Sequence, residues 1–344
     1  VDMTAYWVMF LILAMPALVS SREIQSRRVV EWFYIGILLV LFIGLRHEVV
    51  CDWFNYLGRF ELFQRFDLGQ ALFQSDPGYV YVNWQLAKWG CEVYAVNFVC
   101  ALFFTIGLIS FARRQPYPWL AMAVAFPYLI MIVGMGYTRQ GVAIGFIMLS
   151  LAALEQRHFY RYLLFIVLAT LFHKTALIMI PLGLFMWGRG WAFRSMSLLI
   201  AAYALFDAFV APEAEQLWGI YVEAEMVSQG ARIRSLMNLV PSLILLGYWR
   251  TWRQIFPDYW FWFWIALGGV ISVLLVGFAP TAVDRISLYI LPIQLMVFSR
   301  LPYLLGHRLN PQTIKFGIVM GYALVLYVWL NYAAHAYAWV PYDN

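Results

Sequence analysis

Charge is scarce in this chain. Only 12% of its 344 residues are Asp, Glu, Lys or Arg, against about 25% in soluble domains. With 64% hydrophobic residues besides, a water-soluble fold is excluded and lipid is the expected solvent. Cysteine is scarce too, and three cysteines build no disulfide framework. Cys51 and Cys91 both fall near an outer membrane edge, where an oxidising compartment would let them pair. Three unpaired thiols is the simpler reading, with Cys100 inside an apolar run as plain core. Several chemical signatures are missing. "HEVVC" at 47–51 lacks the second His of a zincin motif, no Gly-rich phosphate loop ends in Lys-Ser/Thr, and no Asp-x-Asp pair offers a metal site. Nothing points to a dinucleotide, so neither a metal nor a cofactor is expected. Tandem repeats, low-complexity stretches and the two-half symmetry of many transporters are also not evident.

What is present is a succession of apolar runs, at 3–20, 29–45, 91–112, 119–136, 140–155, 159–172, 175–187, 195–211, 236–249, 260–278, 286–299 and 314–334. Each approaches the length of a bilayer crossing. The first is followed, not preceded, by its basic residues, which marks a membrane helix and not a cleavable signal. The net charge of +5 does not indicate nucleic acid, because the basic residues lie mainly in short loops between apolar runs, the positive-inside pattern.

The stretch 159–187 is read as a hairpin. A single helix there would move Arg189, Arg194, Arg250, Arg253, Arg300, Arg308 and Lys315 to the outer side, against that pattern. The expected fold is therefore all-α: one polytopic integral membrane domain, 1–344, of about twelve crossings with both termini outside. Its outer segments are 46–90 and 212–235. "FNYLGRFELFQRF" within the first reads as an amphipathic interfacial helix, and "SDPGY" at 75–79 as a turn. Each hairpin arm is about 20 Å long against about 30 Å of hydrocarbon, so the tip His173-Lys174 should lie below the outer surface.

Charge on the outer side is unusually placed. Arg46 ends the second helix, Arg139 begins the fifth, His173-Lys174 caps the hairpin, and Asp284-Arg285 opens the eleventh helix; Arg232 and Arg234 close the second outer segment. Recessed charges are costly unless a polar cavity solvates them. A shared basic pocket opening to the outer leaflet explains the pattern, and it suits phosphate without a metal. Taken singly, each group has a plainer reading. Arg46 can snorkel, Arg139 can satisfy carbonyls where small residues pack helices closely, His173 can be a core histidine, and Asp284-Arg285 can cap a helix. Asp52 with Tyr56 and Arg285 with Tyr289 are i,i+4 pairs and share helix faces.

Four stretches together resemble the EpsG-like and Wzy-type polysaccharide polymerases of bacterial envelopes. "GLRHEVVCDWFNY" is similar to that group's Gly-Leu-Arg and Asp-aromatic-x-x-Tyr pattern through Gly44, Arg46, Asp52, Trp53 and Tyr56. "RQGVAIGF" matches through Arg139, Gln140 and Ala143, "FHKTALIMIPL" matches with Thr175 in place of Ser, and "DRISLY" matches through Arg285 and Tyr289. One departure is Val50, where a Gly often precedes the Asp by two; Ile290 replaces a frequent Phe.

The resemblance implies a GT-C-like glycosyltransferase in the bacterial inner membrane, with its active site facing the periplasm. Its donor is a growing glycan on undecaprenyl pyrophosphate, its acceptor a repeat unit on the same lipid, and a chain-length regulator is an implied partner. Arg46, Arg139 and Arg285 are then expected to bind pyrophosphate with Lys174, Arg232 and Arg234, and Asp52 or His173 to serve as base. Tyr56, Gln140, Asp284 and Tyr289 would position substrate. The rivals are an O-antigen-ligase type enzyme, a flippase or transporter, and a membrane acyltransferase.

Overall fold

A computed structural model describes residues 2–19, 29–72, 75–156, 158–180, 196, 203, 229–278 and 280–343. All regular secondary structure among the described residues is helical, as a sequence of long apolar runs requires. The chain divides into two compact units, one of residues 1–149, 168–173 and 298–344, the other of 150–167 and 174–297.

The apolar runs that fall on described residues reappear as helices: α1 (Thr4–Val19), α2 (Val29–Gly44), then the short outer helices α3 (Trp53–Arg65), α4 (Leu68–Leu72) and α5 (Pro77–Lys88), then α6 (Val93–Ala112) and α7 (Pro118–Ala125). Helix α7 continues as a π-helix, Phe126–Gly134, ahead of α8 (Thr138–Glu155) and α9 (Phe159–Phe172). After the tip, a 3-10 turn covers Lys174–Ile178, and α10 (Gln229–Gly247), α11 (Trp249–Ile255), α12 (Tyr259–Leu275), α13 (Pro280–Ile290), α14 (Pro292–Leu305) and α15 (Pro311–Tyr332) complete the order. Among the described residues α6 and α15 are long and apolar enough to cross a membrane, and α13 with α14, bent by 41° at their junction, passes the same test only when the pair is taken as one broken span. The remaining apolar helices, such as α1, α2, α9 and α12, are shorter. The chain is thus a membrane protein whose regular structure, among the described residues, is entirely helical. The α-helix ends at Phe172, where the hairpin reading places a break. Most of the second arm, the run at 195–211 and residues 212–228 of the second outer segment lie outside the described residues.

Two boundaries differ from the sequence reading. Helix α10 starts at Gln229 and α13 at Pro280, several residues before the apolar runs at 236 and 286. Hydropathy leaves charged residues out of a membrane helix. Here Arg234 and Asp284 pair with each other, and neutralisation lets both helices begin in polar sequence. Asp284 and Arg285 are therefore mid-helix and do not open one.

In the first unit, α2 packs along α6, α1 along α7, and α3 and α4 on α5. Small residues set the spacing. A Cβ on Gly44 would lie 2.8 Å from Phe98 Cα, and one on Gly107 would lie 2.0 Å from the Gly145 carbonyl oxygen. Only glycine permits those approaches. Helix α6, with 20 residues, rises about 30 Å, the thickness of the hydrocarbon layer. Its first turns therefore lie at the same end as Arg46 and its last at the other. Helix α3 is amphipathic as expected, burying Trp53, Tyr56, Phe60 and Phe63 and exposing Phe54 and Leu62.

The C-terminal segment folds back over the loop after α2. Ala338 and Asp343 carbonyls accept from the Val50 and His47 amides, at 2.7 and 2.9 Å. Tyr6 donates to the Trp339 carbonyl, Trp339 Nε1 to Met131, and Tyr342 to Phe42, on whose ring it stacks. All three cysteines are free.

Candidate functional site

Two of the four motifs meet in the first unit. Arg46 follows the C-terminus of α2, and because Gly44 admits Phe98 so closely, its side chain enters beside the first turns of α6. One Nη donates to Ile43, a carbonyl at its own helix end, where a cation is electrostatically favoured. The other donates to Asn97 Oδ1 at 3.3 Å and Thr138 Oγ1 at 3.2 Å. Arg46 is 1% exposed, and its Nε has no hydrogen-bond partner among the described residues. Burial draws its pKa down, with the neighbouring Tyr56 opposing; a guanidinium stays charged regardless.

Tyr56 joins the same junction. Its hydroxyl accepts from the Thr138 amide at 3.2 Å and donates to the Gly136 carbonyl at 3.4 Å. Burial pushes the Tyr56 phenol up, while Arg139 pulls it down, Asp52 raises it and Arg46 lowers it. Three of the expected residues, Arg46, Asp52 and Arg139, therefore act electrostatically on the hydroxyl of a fourth, Tyr56.

Arg139 donates to Ser75 Oγ and Asp76 Oδ2, both at 2.9 Å, and its guanidinium lies over the Tyr79 ring. Asp76 is buried and occupies the N-cap position of α5 without a side-chain capping bond, with Pro77 at the first helical position. The "SDPGY" turn thus supplies an anionic partner as well as a helix start, which turn chemistry alone did not reveal. Asp52 stands exposed at the start of α3, its carboxylate accepting from Asn55 Nδ2 at 3.0 Å. Gln140 is buried in the first turn of α8. His173, half-buried, follows the end of α9, its amide bonded to the Ala169 carbonyl.

The loop between Arg46 and Asp52 has an unusual backbone. Glu48 and Val50 adopt φ of 48° and 90°. For a β-branched residue that is a strained conformation. It falls on the position where the resemblance leads one to expect glycine, the residue that adopts such a φ without strain.

The other two motifs meet in the second unit. Thr175 Oγ1 and the Tyr289 hydroxyl share a hydrogen bond at 3.0 Å. Arg234 Nε pairs with Asp284 Oδ1, and both side chains are largely buried. Around them Asn238 donates to the Ser287 carbonyl and accepts from Gln294, while Ser242 donates to the Asn238 carbonyl. Arg232 and Arg285 are exposed on α10 and α13, and Lys174 is half-buried.

Sequence reasoning missed Asn97, Thr138 and Asp76. Asn97 carried a signal, since an amide inside the apolar run "VYAVNFVC" must find a polar partner. The other two are partners chosen by the fold.

No curated protein and no solved structure matches this chain. Residues 29–344, a span that contains all four motifs and both junctions, match the EpsG family, and the chain belongs to that family.

Proposed function

We propose that the chain is a polysaccharide polymerase: a glycosyltransferase of the bacterial inner membrane joining undecaprenyl-pyrophosphate-linked repeat units at the periplasmic face. The observation that carries this reading is Arg46, a buried guanidinium held by neutral oxygens and bonded to Thr138, next in sequence to the half-exposed Arg139. A pyrophosphate leaving group requires neutralisation of developing negative charge, not protonation, and preorganised cations in a low-dielectric setting supply it. Arg139 makes the contact, and Arg46 backs it from below. The reaction needs no metal on this reading.

Asp52 is the general base. Its exposure lets it approach a sugar hydroxyl borne on a second lipid. It takes the acceptor proton as that oxygen attacks the anomeric carbon of the donor. The bond from that carbon to pyrophosphate breaks, and undecaprenyl pyrophosphate departs with the electron pair. Tyr56 orients the junction, and Gln140, the next residue after Arg139, helps position the acceptor. Arg285, Lys174 and Arg232 are further phosphate-binding candidates, as are His173 for the acceptor and Tyr289 for a sugar.

Purified protein given only lipid-linked repeat units tests this. A polymerase makes a ladder of longer glycans. Recovery of unextended units, with transfer of whole chains once a separate acceptor is added, would identify a ligase instead.

A further inference from the structure

The described residues include three buried or half-buried arginines at the motif junctions, and they are treated differently. Arg139 pairs with Asp76 and Arg234 with Asp284. Arg46, the most enclosed, meets only the Ile43 carbonyl, the Asn97 amide and the Thr138 hydroxyl. A buried cation without a counter-ion is costly, and a carboxylate at position 97 would relieve it. The chain places there the neutral residue of the same shape. We infer that Asn97 is a positioning residue that fixes the Arg46 guanidinium while leaving its charge uncompensated for the pyrophosphate; this rests on the polymerase reading above.

Donor counting supports the assignment. A guanidinium accepts nothing, so Asn97 must face it with Oδ1 and turn its Nδ2 away. Among the described residues neither Asn97 Nδ2 nor Arg46 Nε has an acceptor. Immediately around Arg46 there are therefore more donors than acceptors, besides a whole positive charge. Because Arg46 is enclosed, it acts on a phosphate at Arg139 through its field, which low dielectric transmits well.

The Asn97→Asp variant separates this role from a structural one. It keeps the shape and gives Arg46 a carboxylate, so thermal stability in detergent should stay level or rise. Calorimetric affinity for inorganic pyrophosphate should fall about tenfold or more, the worth of one charge-assisted interaction. The KM for lipid-linked donor should rise likewise. Asn97→Ser keeps a neutral oxygen and should retain affinity within a few-fold of wild type. Equal pyrophosphate binding by Asn97→Asp and wild type would overturn the role of Asn97 alone, as would a parallel loss in both variants. A wild type that ignores pyrophosphate and extends no lipid-linked unit would overturn the polymerase reading with it.

Discussion

The two motif junctions use the same residue types to opposite ends. In the second unit Arg234 and Asp284 neutralise each other inside a seam of Ser, Asn and Gln side chains, and α10 and α13 are fastened together. In the first unit the acid is displaced. Asp76 faces Arg139, Asp52 stands in solvent, and Arg46 is left with neutral oxygens. Closed pairs hold helices in register; an open charge holds a potential that something else must meet. Function is therefore sought at the first junction and stability at the second.

Acid substitutions sharpen that contrast most. Asp52→Asn should lower polymer formation by about 10² to 10⁴-fold, the usual contribution of a general base. Its melting temperature should not move, because the carboxylate is exposed. Asp284→Ala should do the reverse in a denaturation series: breaking the largely buried ion pair with Arg234 costs about 3–5 kcal/mol. If Asp52→Asn membranes still made full-length glycan, the first junction would lose its chemical role.

Charge removal gives the next effect. Arg46→Met should leave stability unchanged or raise it, since it removes a desolvated cation that has no counter-ion, yet pyrophosphate binding should weaken. Arg234→Met should instead lower the melting temperature, because the buried Asp284 carboxylate then loses the guanidinium that pairs with it. Similar melting shifts in both variants would erase the distinction between the junctions. The smallest effect belongs to the loop. Val50→Gly relieves a residue at φ 90° and should stabilise by about 1 kcal/mol in the same assay, against the usual cost of adding a glycine.

Much of this organisation was legible in the sequence. The apolar runs located the helices because bilayer thickness dictates their length, and the break at His173 followed from loop charge. Gly44, Arg46 and Tyr56 were legible as a motif, and Val50 as its departure, although its reason, a backbone turned to positive φ, needed the fold. What stayed hidden was pairing. Nothing local says that Asp76 would face Arg139 or that Arg234 would find Asp284, 50 residues further on. Asn97 was overlooked because hydropathy averages a single amide into its neighbours. Helix starts at Gln229 and Pro280 were hidden for a related reason, because a charge reads as a helix breaker in lipid until its partner is known.

The backward fold of the tail has a practical corollary. The amides of His47 and Val50 have their acceptors in Asp343 and Ala338, and Trp339 is clasped from both sides by Tyr6 and Met131. A chain cut short ahead of Trp339, or one tugged by a bulky fusion at that end, loosens the hinge on which Arg46 and Asp52 are mounted. Purification handles belong elsewhere on the polypeptide.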